Sequence, residues 1–117
     1  MNEPLAERLG LPSVTLQKLV SVFARHPAIR QVLVYGSRAK GNYRRGSDID
    51  LTLQGPLLSF AELMQIEDQI DDLLLPYTVD LNQYQQLSNR DLLDHIDRVG
   101  LVIYQRQTCL ASVADGV

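Results

Sequence analysis

The sequence predicts an α/β fold of the α+β kind: one domain with a small mixed β-sheet and helices packed on one of its faces. Three observations predict it. The apolar stretches Val32–Tyr35, Ile49–Leu53 and Val79–Leu81 are either β-branched and aromatic or alternate with polar residues, as buried and half-buried strands do. Around them, apolar residues recur at helical spacing: Leu16, Leu19, Val20 and Phe23; Leu63, Ile66, Ile70, Leu73 and Leu74; Leu92, Leu93, Ile96 and Val99. The length, 117 residues, suits a single domain over 1–117 that buries a core and has no room for a second lobe.

Residues 1–12 hold Pro4, Gly10 and Pro12 and read as a loosely fixed lead-in, which places the ordered core at about 13–106. The first helix begins with Ser13 or Thr15 as its cap and stops at Pro27. His26, at its end, reads as a surface cation favoured by the helix dipole. A strand over about Ile29–Tyr35 runs into Gly36-Ser37, a pair suited to a tight turn, and a short helical segment with free N–H groups follows. The second strand, about Asp48–Gln54, is broken by Gly55-Pro56. Ser59-Phe60-Ala61-Glu62 is a capping box for a helix that ends before Pro76, with most of its acids on the solvent side. A third strand lies over about Tyr77–Asn82. Ser88 is the expected cap of a last helix closed by Gly100, and Leu101–Tyr104 a final strand. His95, on that helix between acids, reads as a partly exposed structural residue. The segment Gln107–Val117 is expected to fray, and its Cys109, the only cysteine, has no partner for a disulfide or a metal site.

The composition, 45% hydrophobic and 21% charged, is ordinary for a globular domain. A net charge of −3 argues against non-specific nucleic-acid binding, which shows as a basic surplus, so no direct nucleic-acid contact is expected. With acids near the start and no long apolar run, the sequence implies a cytoplasmic protein with no membrane contact. The charge is unevenly placed. Arg38, Lys40, Arg44 and Arg45 share one loop with no acid between Gly36 and Ser47, whereas Glu62, Glu67, Asp68, Asp71 and Asp72 crowd one helix.

The loop leads into the stretch that carries chemistry. In Asp48-Ile49-Asp50-Leu51-Thr52-Leu53 the alternation sends Ile49, Leu51 and Leu53 to one face and Asp48, Asp50 and Thr52 to the other. Carboxylates two apart on a strand have Cα atoms roughly 6.5–7 Å apart, close enough to reach a pair of divalent cations about 3.5–4 Å from each other. Hard oxygen donors suit Mg²⁺, which takes one or two carboxylates together with water and substrate phosphate, so a nucleoside triphosphate is the natural third party. The Gly36-Ser37 turn and the cationic loop would face its phosphates. Val79-Asp80-Leu81 repeats the pattern of Ile49-Asp50-Leu51, and pairing of the two strands would set Asp80 on the face of the other acids as a third ligand. Two other motifs are excluded by the letters. Gly36 and Gly41 each open a P-loop spacing but continue to Asn42-Tyr43 and Ser47-Asp48 instead of Lys-Ser or Lys-Thr. An EF-hand requires an oxygen ligand and then Gly at its fifth and sixth positions, which Thr52-Leu53 does not provide.

Gly36-Ser37, ten residues, then Asp48-x-Asp50 resembles the signature of the DNA polymerase β-type nucleotidyltransferase superfamily. The wording Gly-Ser-Arg-Ala-Lys-Gly and Ser-Asp-Ile-Asp-Leu, with Ile70–Pro76, Val79–Leu81 and His95-Ile96-x-x-Val99-Gly100, is similar to its minimal single-domain members over about Val32–Tyr104. The resemblance implies catalytic and metal-binding roles for Asp48, Asp50 and Asp80, with Asp80 near the attacking hydroxyl. It also implies nucleotide binding by Gly36, Ser37, Arg38, Lys40 and Ser47, with Arg38 and Lys40 offsetting charge on the leaving pyrophosphate. Two Mg²⁺ ions and ATP are the implied cofactor and substrate. Minimal members of this kind resemble the antitoxin half of two-component modules whose other half is a helical HEPN-domain ribonuclease toxin, and which silence it by transferring AMP to a tyrosine. The expected partner is therefore a HEPN protein in a hetero-oligomer, with the acidic helix Glu62–Asp72 as its docking face. A transferase acting on a small antibiotic-like hydroxyl, and a non-catalytic antitoxin that works by binding alone, are the alternatives.

Overall fold

A computed structural model describes residues 3–106. In chain order it contains α1 (Glu3–Leu9), α2 (Ser13–Ala24), β1 (Gln31–Tyr35), α3 (Gly36–Lys40), β2 (Ile49–Gln54), α4 (Phe60–Asp71), β3 (Val79–Gln83), a single 3₁₀ turn (Tyr84–Gln86), α5 (Arg90–Val99) and β4 (Leu101–Gln105).

The four strands form one mixed sheet in the order β3-β2-β1-β4. β1 is antiparallel to both β2 and β4, whereas β2 and β3 are parallel, with α4 as the crossover that a parallel pair requires. Val32, Val34, Ile49, Leu51 and Leu53 are at most 1% exposed and share a core with Leu16, Leu19, Val22 and Phe23 of α2 and Leu63, Ile66 and Ile70 of α4. These two helices form the layer on one face. The register aligns Tyr35 with Asp50 and Asp50 with Asp80, so these three residues stand in a row across the opposite face. α5 packs against β1 and α3 and closes the sheet near the end of that row.

The lead-in expected at residues 1–12 is instead a helix that belongs to the core. Ala6, Leu9 and Leu11 are 3%, 0% and 5% exposed. Pro4 lies in the first turn, where its missing N–H costs nothing, and Gly10, at φ 69°, terminates the helix. Leu11 N–H donates to Ala6 O and Gly10 N–H to Glu7 O, the paired bonds of a Schellman motif. The residues that suggested a loop are the helix's own start and stop signals, and the ordered region begins at α1.

Other boundaries move by a residue or two. Pro12, not Ser13 or Thr15, precedes α2 as its cap, and Thr15 is buried. Asn89 rather than Ser88 caps α5, its Oδ1 accepting from Leu92 N–H at 3.1 Å. Ser59 does cap α4, its Oγ accepting from Glu62 N–H. The Glu62 carboxylate, however, does not complete a capping box and leaves the acidic surface of α4. It meets His26 Nδ1 at 2.8 Å, and His26 Nε2 lies 2.8 Å from Gln69 Oε1. His26 is thus a buried tie between α2 and α4 and not a surface cation, because α4 crosses the end of α2 and covers it. Asp68, Asp71 and Asp72 stay exposed as expected. No helix among the described residues is long and apolar enough to cross a membrane. Cys109 and the segment after Arg106 lie outside the described residues.

Candidate active site

β1 delivers the chain to the Gly-Ser turn in the extended conformation of Tyr35, and Gly36 reverses it at φ 75°. Only glycine fits there on two counts. The left-handed conformation disfavours any Cβ, and a Cβ at this position would run into Asp50 Oδ2. The short α3 that follows closes on Gly41, at φ 88°, whose N–H donates to Ser37 O at 2.9 Å. The N–H of Gly36 donates to His95 Nε2 at 3.0 Å, and the His95 ring stands edge-on to Tyr35 with centroids 6.1 Å apart. His95 therefore touches the motif directly. The sequence marks His95 only as part of a stretch similar to the family and as a structural residue, and the contact itself, between residues 59 positions apart, has no local signal.

The parallel register of β2 and β3 brings Asp80 beside Asp50, as the repeated hydrophobic-acid-hydrophobic pattern predicts. Asp48, just ahead of β2, is exposed, as is Asp80, while Asp50 is half-buried against the Gly36 turn. Burial pushes the Asp50 carboxyl up to about 6, and the charges of Asp80 and Asp48 and a hydrogen bond shared with Asp80 add to the rise. Beneath them, burial raises the Tyr35 hydroxyl, the hydrogen bond that Asn82 Nδ2 donates to it at 2.8 Å opposes this, and Asp50 and Asp80 raise it further. Asp50 thus feels the charges of both other acids.

Among the described residues, no three His, Cys, Asp or Glu side chains are grouped tightly enough to enclose a metal ion. The expected three-carboxylate cage is not preformed, because Asp48 precedes the strand and is not held in its register. The donor chemistry still fits Mg²⁺. Asp50 and Asp80 offer hard oxygens at one place, their mutual repulsion is what a cation relieves, and Mg²⁺ needs only one or two protein carboxylates when phosphate and water complete its shell.

The cationic loop divides into a buried member and exposed ones. Arg38 is 2% exposed, and each of its guanidinium nitrogens is engaged: Nη1 donates to Leu9 O at 2.8 Å and Gly10 O at 3.2 Å, while Nε and Nη2 donate to Ser47 O at 3.1 and 2.9 Å. Its carbon Cζ lies 5.3 Å from the Tyr43 ring centroid and 5.1 Å from that of Tyr77. The expected contact of Arg38 with a leaving pyrophosphate is corrected accordingly. The side chain points under the loop and holds the carbonyl immediately before Asp48, a role that depends on the carbonyls at the end of α1. Ser47 is likewise used within the loop, its Oγ accepting from Arg44 N–H at 2.8 Å. Lys40, Arg44 and Arg45 remain exposed.

A search among curated protein sequences gives no match. Among solved structures, a toxin–antitoxin complex with AMP-PNP is similar at a TM-score of 0.64 and 20% identity, over 79% of this chain and 74% of that one. The MntA–HepT toxin–antitoxin is similar at a TM-score of 0.61 and 16% identity, over 82% and 74% of the two chains. A complex of tri-AMPylated Shewanella oneidensis HEPN toxin with MNT antitoxin is similar at 0.59 and 17%, over 80% and 72%. These likenesses show the fold. The family model described as polymerase beta, nucleotidyltransferase, matches residues 17–108, which include the Gly36 turn and all three acids; the chain belongs to that nucleotidyltransferase family.

Proposed function

We propose that this protein transfers a nucleoside monophosphate, AMP from ATP, to a hydroxyl of a partner protein, namely a tyrosine of a HEPN-domain toxin that it thereby silences. The observation that carries the reading is the in-register pairing of Asp50 with Asp80 beside the glycine that packs on Asp50. It puts two acids of raised mutual repulsion next to a turn whose backbone a triphosphate can approach closely.

In the reaction the acceptor hydroxyl oxygen attacks the α-phosphorus, the bond from that phosphorus to the bridging oxygen breaks, and pyrophosphate leaves. Asp80, exposed at the sheet edge, takes the hydroxyl proton. Gly36 leaves room for the nucleotide, Ser37 holds its β- and γ-phosphates, and Lys40 offsets charge on the leaving group. Asp48 and Asp50, with Asp80, would hold two Mg²⁺ ions, which when bound neutralise the phosphates and polarise the reacting centre. Arg38 and Ser47 act indirectly, by fixing the loop that leads into Asp48. Positioning and electrostatics supply most of the rate in such transfers, so no covalent nucleophile is required.

The solved toxin–antitoxin complexes, one with AMP-PNP and one with an AMPylated HEPN toxin, support the choice of ATP and of the partner. The exposed acids Asp68, Asp71 and Asp72 of α4 offer a docking face for a basic surface on that partner. The test is incubation of the protein with each labelled triphosphate, Mg²⁺ and the product of the adjacent gene, which the proposal expects to be a HEPN protein. Label on the HEPN protein from ATP, and none with the Asp50→Asn variant, is the expected result. Protection from the toxin by Asp80→Ala with no modified partner by intact-mass spectrometry would show neutralisation by binding and overturn the transferase reading.

A further inference from the structure

We infer that His95 is a positioning residue of the nucleotide site: its Nε2 holds the Gly36 amide and so fixes the Gly-Ser turn for the triphosphate. This rests on the transferase reading above. A main-chain N–H can only donate, so at 3.0 Å the ring nitrogen facing it carries a lone pair, and the imidazole is neutral with its proton on Nδ1. The first N–H groups of a helix lack intrahelical acceptors, and here the partner comes from another helix far along the chain.

The consequence runs through contact. The Gly36 amide leads directly into Ser37, so loss of its acceptor frees the backbone of the turn that faces the triphosphate. His95 is itself braced, edge-on against Tyr35, the residue that aligns with Asp50 across the sheet. α5 packs on both α3 and β1, so its docking sets the height of the ring over the turn. The last helix thus clasps the motif through this ring. Its tie is to the backbone, which carries the nucleotide, and not to the acids, which carry the chemistry. Loss of the tie should therefore weaken nucleotide binding more than turnover.

Two measurements test this. In uniformly ¹⁵N-labelled protein, a through-hydrogen-bond nitrogen–nitrogen coupling should join Gly36 N to His95 Nε2, with Nε2 unprotonated. His95→Phe, which keeps a ring against Tyr35 but has no acceptor, should raise the KM for ATP about fivefold, the effect of one ordinary hydrogen bond, with kcat changed by less than about twofold. His95→Gln, whose side-chain oxygen reaches about as far as Nε2, should restore both the Gly36 amide shift and the KM. His95→Asn stays polar but falls short of the amide, and repeats the test should the aromatic variant not fold. A protonated Nε2 without coupling overturns the inference, as does a His95→Phe or His95→Asn protein whose binding of AMP-PNP with Mg²⁺ is unchanged. If the wild type binds no AMP-PNP, the transferase reading itself falls and takes this one with it, whereas binding indifferent to residue 95 sinks the inference alone.

Discussion

The two sides of the site handle charge in opposite ways. On the basic side, Arg38 is buried against two tyrosine rings with its donors spent on the carbonyls of Leu9, Gly10 and Ser47, and no carboxylate among the described residues pairs with it. On the acidic side, Asp50 is pressed against Gly36 and crowded by Asp80 and Asp48, so its carboxyl is held up at about 6. One charge is satisfied and fixed. The other is crowded by charges of its own sign. The difference separates a residue that builds the loop from the residue to which the proposed function gives a metal, although both stand in the same short motif. A charge that stabilises the fold is surrounded by dipoles turned toward it, whereas one kept for ligand binding is left in a field that only the ligand can complete.

Substitutions can break or sharpen this contrast. The largest effect is expected on the acidic side: Asp50→Asn should lower nucleotide transfer by about a thousandfold, measured with labelled ATP, while circular dichroism shows the fold intact. On the basic side, Arg38→Met should cost about 2–4 kcal/mol in urea unfolding, since it leaves buried carbonyls without donors. Arg38→Lys should recover only part of this, because one ammonium cannot replace the fork that reaches both Ser47 and Leu9. Gly36→Ala links the two sides. It adds strain at φ 75° and pushes on Asp50, and should lose about tenfold or more in transfer, at a stability cost of about 1–2 kcal/mol.

A smaller effect reports the acidic side without any ligand. The Asp50 carboxyl sits higher in the folded chain, at about 6, than its ordinary 3.8, so protonation favours the folded state. The contribution is fully present below about pH 4 and is lost as pH rises through about 6, and metal-free protein should lose a few degrees of Tm across that window. Asp50→Asn should flatten that part of the profile and melt higher than wild type at pH 7. A wild-type Tm that does not fall across the window would mean that neither burial nor the neighbouring acids hold the Asp50 carboxyl up. The smallest effect is expected at the exposed Lys40, where Lys40→Ala should raise the KM for ATP by about two- to threefold and leave stability unchanged.

The sequence by itself determined the mixed sheet, the helical layer, the Gly-Ser turn and the alignment of Asp80 with Asp50. Each of these follows from a local period or from a conformation that few residues can adopt. Strand alternation fixes which face an acid occupies, and glycine marks where the backbone must turn. Only the tertiary structure decided that residues 3–11 join the core, that Arg38 lies under the loop, that His26 ties α2 to α4 and that His95 reaches Gly36. For the last three the reason is common. Arginine and histidine side chains are long and amphipathic, and whether one ends in water or against a carbonyl, amide or carboxylate depends on which distant segment packs over it. Ala6, Leu9 and Leu11 are too few to hold a seven-residue helix alone, and they do so only because the rest of the core is there to cover them.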